Sequence, residues 1–154
     1  MIYRKAVPED IKDLAEMRMA YLLEDQGYIN ESDRTIMKKT LPGYFTRHLN
    51  HDLFAYVAVD KTIVATVLLV VEERPASPHF ITGKIGILMN VYTIYEYRRQ
   101  GIARQLVSMA IEDGKLLNLA KIELMATNDG YELYKKAGFK IKESEYIPMV
   151  YTLK

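Results

Sequence analysis

The chain has no cysteine, almost no net charge and no long apolar run, and each absence removes a class of function. Without cysteine there is no disulfide, no thiolate nucleophile and no cysteine metal site. The three histidines are too scattered in the sequence to hold a metal, so no metal is expected. A formal net charge of +1 sets up no global field to recruit nucleic acid or an anionic membrane, so any anion binding must rest on local basic clusters. The most apolar run, Ile63 to Val71, is far too short to span a bilayer. Met1-Ile2-Tyr3-Arg4-Lys5 lacks the apolar stretch of a signal peptide. A cysteine-free chain with no export signal fits a reducing cytoplasm, and a soluble cytoplasmic protein is the expectation. What is present is an ordinary globular composition, 49% hydrophobic and 27% charged over 154 residues, enough for one domain across 1–154.

Periodicity predicts a mixed α/β chain in the order β-αα-βββ-α-β-α-ββ. Ile2 to Val7 alternates as a first strand. Pro8 opens a helix with Glu9 and Asp10 near its positive end, and Gly27 stops it. Ile11, Leu14, Ala15, Arg18, Met19 and Leu22 follow one another at helical spacing. A second helical segment runs from about Glu31 to Leu49, with an interruption expected at Pro42-Gly43. Leu53 to Val59 and Thr62 to Glu73 are β-branched strands joined by Asp60-Lys61 as a tight turn. Ile85 to Thr93 is the next strand, with Ile85, Ile87, Met89, Val91 and Thr93 expected on one face. Gly101 to about Leu117 is an amphipathic helix, weakened by Gly114 and stopped at Asn118. Lys121 to Thr127 reads as a strand. Asp129 and Glu132 have capping-box spacing for a short helix ending at Gly138. Phe139 to Lys142 and Tyr146 to Leu153 read as two closing strands.

The segment Arg98-Arg99-Gln100-Gly101-Ile102-Ala103 lies between a predicted strand and a predicted helix. A helix start leaves backbone N–H groups without partners and carries roughly half a positive charge, so it is a backbone-built anion site. Gly101 permits close approach, Ala103 keeps the next position small, and Arg98, Arg99 and Arg104 add forked positive charge around the amide of Gln100. The same residues also suit an ordinary helix start with solvated arginines, and the hexapeptide by itself does not decide between the two. It matches neither a dinucleotide fingerprint nor a P-loop, which argues against hydride transfer and nucleotide hydrolysis.

Three segments together carry a resemblance: Asn90-Val91-Tyr92-Thr93, then Tyr97 to Ala103, then Leu133-Tyr134-Lys135-Lys136-Ala137-Gly138-Phe139. In this order the sequence resembles the GNAT superfamily of N-acetyltransferases, most clearly over 85–143. The resemblance implies a single GNAT-like α/β domain with a mixed, mostly antiparallel sheet of about seven strands and about four helices. It implies acetyl-CoA as co-substrate, its pyrophosphate on Arg98, Arg99, Gln100, Gly101, Ile102, Ala103 and Arg104. Pantetheine would lie in a cleft between splayed strands, bonded to the backbone of Val91, Tyr92 and Thr93, with an N–H there polarising the thioester carbonyl. Asn128 is a further expected coenzyme contact. Three departures from the family pattern are Ala103 for the commoner glycine, Asn128 one position late, and Thr93 at a usually aliphatic position.

The resemblance places Tyr134 as general acid, since a phenol with pKa near ~10 can protonate a departing thiolate whose conjugate acid lies near ~8.5. A ring that packs and bonds its hydroxyl to backbone is the competing role. For the general base, Glu24, Asp25, His48 and His51 lie in the helical region expected over the acceptor, and surface charge or a cap is the more ordinary role of each. Tyr21, Tyr28, Tyr44 and Phe45 would line an acceptor pocket, the core or an interface. The implied reaction is acetyl transfer to a primary amine of a small molecule or peptide in a ternary complex. The alternative is a catalytically silent acyl-CoA-binding module. The apolar last segment, Tyr146 to Leu153, could pair two copies into a homodimer.

Overall fold

The computed structural model describes residues 1–154. Five strands form one sheet in the order β1-β2-β3-β4-β5. The first four, β1 (Ile2–Lys5), β2 (Leu53–Asp60), β3 (Thr62–Glu73) and β4 (Lys84–Thr93), pair antiparallel, while β5 (Lys121–Glu123) joins β4 in parallel. β3 is nearly continuous in apolar and β-branched residues because both its faces are covered. Lys61, at φ 65°, turns β2 into β3 as Asp60-Lys61 predicts.

Alternate residues of the sheet feed two cores. On one face Tyr56, Ala58, Leu69 and Leu88 pack with Leu106, Val107 and Ala110 of α3 (Ile102–Leu116). The other face, Ala55, Val57, Leu53 and Leu68, packs with Leu14 and Met17 of α1 (Ile11–Gln26) and Phe45 of α2 (Glu31–His48). α4 (Tyr131–Ala137) adds Leu133 and Tyr134 to the α3 side. Leu106 and Val107 are fully buried, so truncating either to alanine costs about 2–5 kcal/mol.

The order of elements follows the sequence reading through α4 and then departs from it. The sheet has five strands and not seven, because Phe139 to Lys142 and Tyr146 to Leu153 form no strand. Their backbone pairs with no strand; its hydrogen bonds are local, Phe139 N to Tyr134 O and Tyr146 N to Ser144 Oγ. β5 is also shorter than Lys121 to Thr127, since its pairing with β4 stops at Glu123. α2 continues through Pro42 without interruption; the carbonyl of Lys38 that loses its N–H partner is on an exposed turn, where it is open to solvent. Asp129 does not cap α4; Thr127 Oγ1 accepts from Gly130 N at 3.1 Å instead. Asp10 does more than sit near a helix start: it takes Arg4 through two bonds, 2.6 and 3.0 Å, and Val7 N at 2.8 Å.

Two further details position the site. Gly114 lies under β5, where a Cβ would come within 2.9 Å of Ile122 Cδ1, so this glycine permits the helix–strand approach that its low helix propensity opposes. Lys5 Nζ and Tyr56 Oη meet Asp113 Oδ2 at 2.6 and 2.7 Å, tying β1 and β2 to α3.

Candidate active site

β4 and β5 pair over only three positions, Ile85–Lys121 to Ile87–Glu123, after which β4 continues to Thr93 paired only with β3. An opening is therefore left between Leu88–Thr93 and the chain after Glu123, at the carboxyl ends of two parallel strands. α3 starts at this end. None of the backbone N–H groups from Arg99 to Arg104 donates to a backbone acceptor. Arg99 (φ 62°) and Gly101 (φ 78°) both take left-handed conformations. Such a turn gathers consecutive N–H groups into an anion-binding concavity on top of the helix dipole. Nothing in the protein crowds Gly101, so its glycine answers the backbone angle and an open approach from outside. Ile102 is buried beneath the turn and anchors it to the α3 core. Ala103 beside it is half-buried.

The arginines around the turn divide. Arg98 points away from it: Nε donates to Thr93 O at 2.8 Å and Nη2 meets Glu24 Oε2 of α1 at 2.7 Å, with the guanidinium stacked beside Tyr92 and Tyr95. That ion pair holds the Glu24 carboxyl below its ordinary pKa. Glu24 is thus a poorer base than its position in the sequence suggests. Gln100 uses its amide on Glu96 O at 3.3 Å. Arg99 and Arg104 are exposed and pair with no carboxylate, so they are the charges left to the concavity.

β4 does not keep the strict alternation expected of it. Asn90, at φ 51°, and Val91 together stand opposite one residue of β3, between the pairs Leu68–Met89 and Thr66–Tyr92. This bulge puts Leu88 and Val91 on the α3 side and Met89 and Tyr92 on the α1 side. Buried Asn90 stabilises it through Nδ2 to Thr66 Oγ1 at 3.0 Å. From Leu88 to Thr93 the edge of β4 that faces the opening has no strand partner, although the Thr93 carbonyl is already taken by Arg98 Nε.

Tyr134 rises from α4 beside this opening. Its ring packs on Phe139 at 6.0 Å and against the α3-side core. No hydrogen bond contributes at its hydroxyl, whose pKa is pushed up to about 12 by burial and secondarily by Tyr21. Elsewhere, the Tyr56 and Tyr97 hydroxyls are spent on Asp113 and Asp60, each at 2.7 Å. Tyr21 stacks edge-on to Tyr92 at 6.3 Å, so α1, β4 and α4 converge here. Asn128, in the segment between β5 and α4, is exposed.

The predicted acceptor residues scatter. Tyr21 and Tyr44 flank Arg18, whereas Tyr28 is 73% exposed and Phe45 is core. His48 is engaged by Asp52 at 2.7 Å and stacks on Tyr44. Sequence reasoning missed Arg18 as a site residue, although an arginine at a core-facing position of an amphipathic helix was the available signal. It lines a cleft of about 210 Å³ with Leu41, Tyr44, Phe45, Leu53, Leu68 and Met89.

Fold and site together define an α/β domain whose sheet opens beneath a helix start with unpaired N–H groups. The Acetyltransferase (GNAT) family model matches residues 14–139, and the chain belongs to that family. A predicted acetyltransferase from Clostridium acetobutylicum, solved with acetyl-CoA, is 31% identical with a TM-score of 0.84, covering 97% of this chain and 95% of that one. A GCN5-related N-acetyltransferase from Ralstonia eutropha shares the fold at 20% identity, TM-score 0.78, with 96% and 97% covered. Glucosamine-6-phosphate N-acetyltransferase from Arabidopsis thaliana does so at 17% identity, TM-score 0.70, with 99% and 98% covered. No curated protein matches the sequence. No helix is long and apolar enough to cross a membrane.

Proposed function

We propose that the protein is an N-acetyltransferase that moves an acetyl group from acetyl-CoA to a primary amine of a small molecule or peptide, by direct attack in a ternary complex. The observation that carries this reading is the convergence on one opening of unpaired N–H groups at the start of α3, an unpaired edge of β4 and an unbonded Tyr134 hydroxyl.

Acetyl-CoA supplies an activated acyl thioester and a stable thiolate leaving group. The N–H groups from Arg99 to Arg104 take the pyrophosphate, assisted by the Arg99 and Arg104 side chains. Arg98 acts differently from the arginine beside it, bracing the end of β4 against α1 through Thr93 and Glu24. The free edge at Val91 to Thr93 holds the pantetheine amides like an added strand, and an N–H of the bulge polarises the thioester carbonyl. Asn128 borders the same cleft. As the C–N bond forms and the C–S bond breaks, Tyr134 donates its proton to the departing sulfur, and the proton the amine nitrogen sheds passes to solvent, from which Tyr134 is reprotonated; the elevated pKa keeps the phenol protonated at neutral pH. A catalytically silent module would have no use for a phenol left unbonded at this position.

Thiol release across a panel of primary amines tests the reading, with acetyl-CoA binding followed separately by calorimetry. Turnover of at least one amine is the expected outcome. Tight acetyl-CoA binding with no turnover of any amine would favour the silent module.

A further inference from the structure

The acceptor side of the opening holds a guanidinium that the fold leaves without a counter-ion. Arg18 faces inward from α1, half-buried, with its Cζ 5.9 Å from the centre of the Tyr21 ring. Its one hydrogen bond within the protein runs from Nη1 to Asn90 Oδ1, a long 3.3 Å contact to a neutral group. Arg4, Arg74 and Arg98 each hold a carboxylate at 2.6–2.7 Å, and all three are more openly placed. A partly desolvated, permanently charged fork with most donors unused is costly unless an anion completes it. Tyr21 and Tyr44 stand on either side as phenol donors, and Tyr21 leads on to Tyr92 and Tyr134. The cleft of about 210 Å³ beside Arg18 suits a small molecule.

Resting on the acetyltransferase reading, we propose that the acceptor is a small amino acid-like molecule whose carboxylate is bound by Arg18 with Tyr21 and Tyr44. Its amine then faces the Tyr92–Tyr134 end. Acetylation of free amino acids is compared with that of their methyl esters and of aminoalkyl phosphates by thiol release. The free acids should show KM at least about tenfold lower than the esters, the size expected from a charge-assisted bond. Arg18→Met should raise the acids to the esters' KM, Arg18→Lys should recover part of the difference, and acetyl-CoA affinity should not move in either. Equal kcat/KM for acid and ester, or a preference for the phosphates, overturns the carboxylate site. If no amine turns over, the transferase reading fails separately. Calorimetric binding of acid against ester to the acetyl-CoA complex then still decides on Arg18.

Discussion

The two sides of the opening are built in contrasting ways. The proposed coenzyme side is made of backbone: consecutive N–H groups, two left-handed residues and a strand edge without a neighbour, all between Leu88 and Arg104. The proposed acceptor side is made of side chains from distant segments, with Arg18 and Tyr21 from α1, Tyr44 from α2, Tyr92 from β4 and Tyr134 from α4. A backbone site is set by local conformation and tolerates side-chain change except where a φ angle forbids it. A side-chain site can be altered one residue at a time, which allows one coenzyme scaffold to serve different amines.

Four variants and a pH profile test this contrast, the largest expected effect first. Gly101→Asp joins left-handed strain of about 1–2 kcal/mol to a negative charge inside the anion site, and should weaken acetyl-CoA binding about 1000-fold by calorimetry. Undiminished binding would mean that the turn is not the coenzyme site. Tyr134→Phe should lower kcat about 100-fold while acetyl-CoA affinity stays the same, separating chemistry from binding. Asp113→Ala, outside both sides, leaves Tyr56 and Lys5 unpaired and should cost about 1–3 kcal/mol in denaturant unfolding. Replacing Arg99 and Arg104 together by alanine should weaken acetyl-CoA binding only about tenfold, and less in high salt, because the backbone remains. The smallest effect is a flat one. The Tyr134 phenol keeps its proton until the pH passes its raised pKa of about 12, so kcat should show no falling limb near 10, the ordinary phenol value. A falling limb there would place another acid in the mechanism.

Legibility in the sequence followed the same division. Gly27, Lys61, Asn118 and Gly138 all take the left-handed stops and turns their positions suggest, because such geometry is encoded within a few residues. The β4 bulge was carried by Asn90, a residue that tolerates positive φ, yet alternation alone passes over it. Asp129 caps nothing: α4 starts after Gly130 without a side-chain cap, and Thr127 Oγ1 bonds Gly130 N in the turn before it, an offset within the ordinary uncertainty of a helix start. Tyr146 to Leu153 has the apolar pattern of a strand and yet forms none, because a pattern does not supply the neighbouring strand that pairing requires.

Sequence by itself determined the α/β class, the helix start at Gly101, the L-Y-x-x-x-G-F helix that carries Tyr134, and hence the family. These are properties of contiguous residues, where φ preference and periodicity act directly. Tertiary structure alone decided the rest. It turned Arg98 towards Glu24, 74 positions earlier, and set Arg18 beside Asn90, 72 positions later, with no carboxylate in reach. It also left the Tyr134 hydroxyl unbonded and the last arm without a sheet. Whether a charge is neutralised or a hydroxyl is spent depends on which distant segment packs against it, and no local pattern records that.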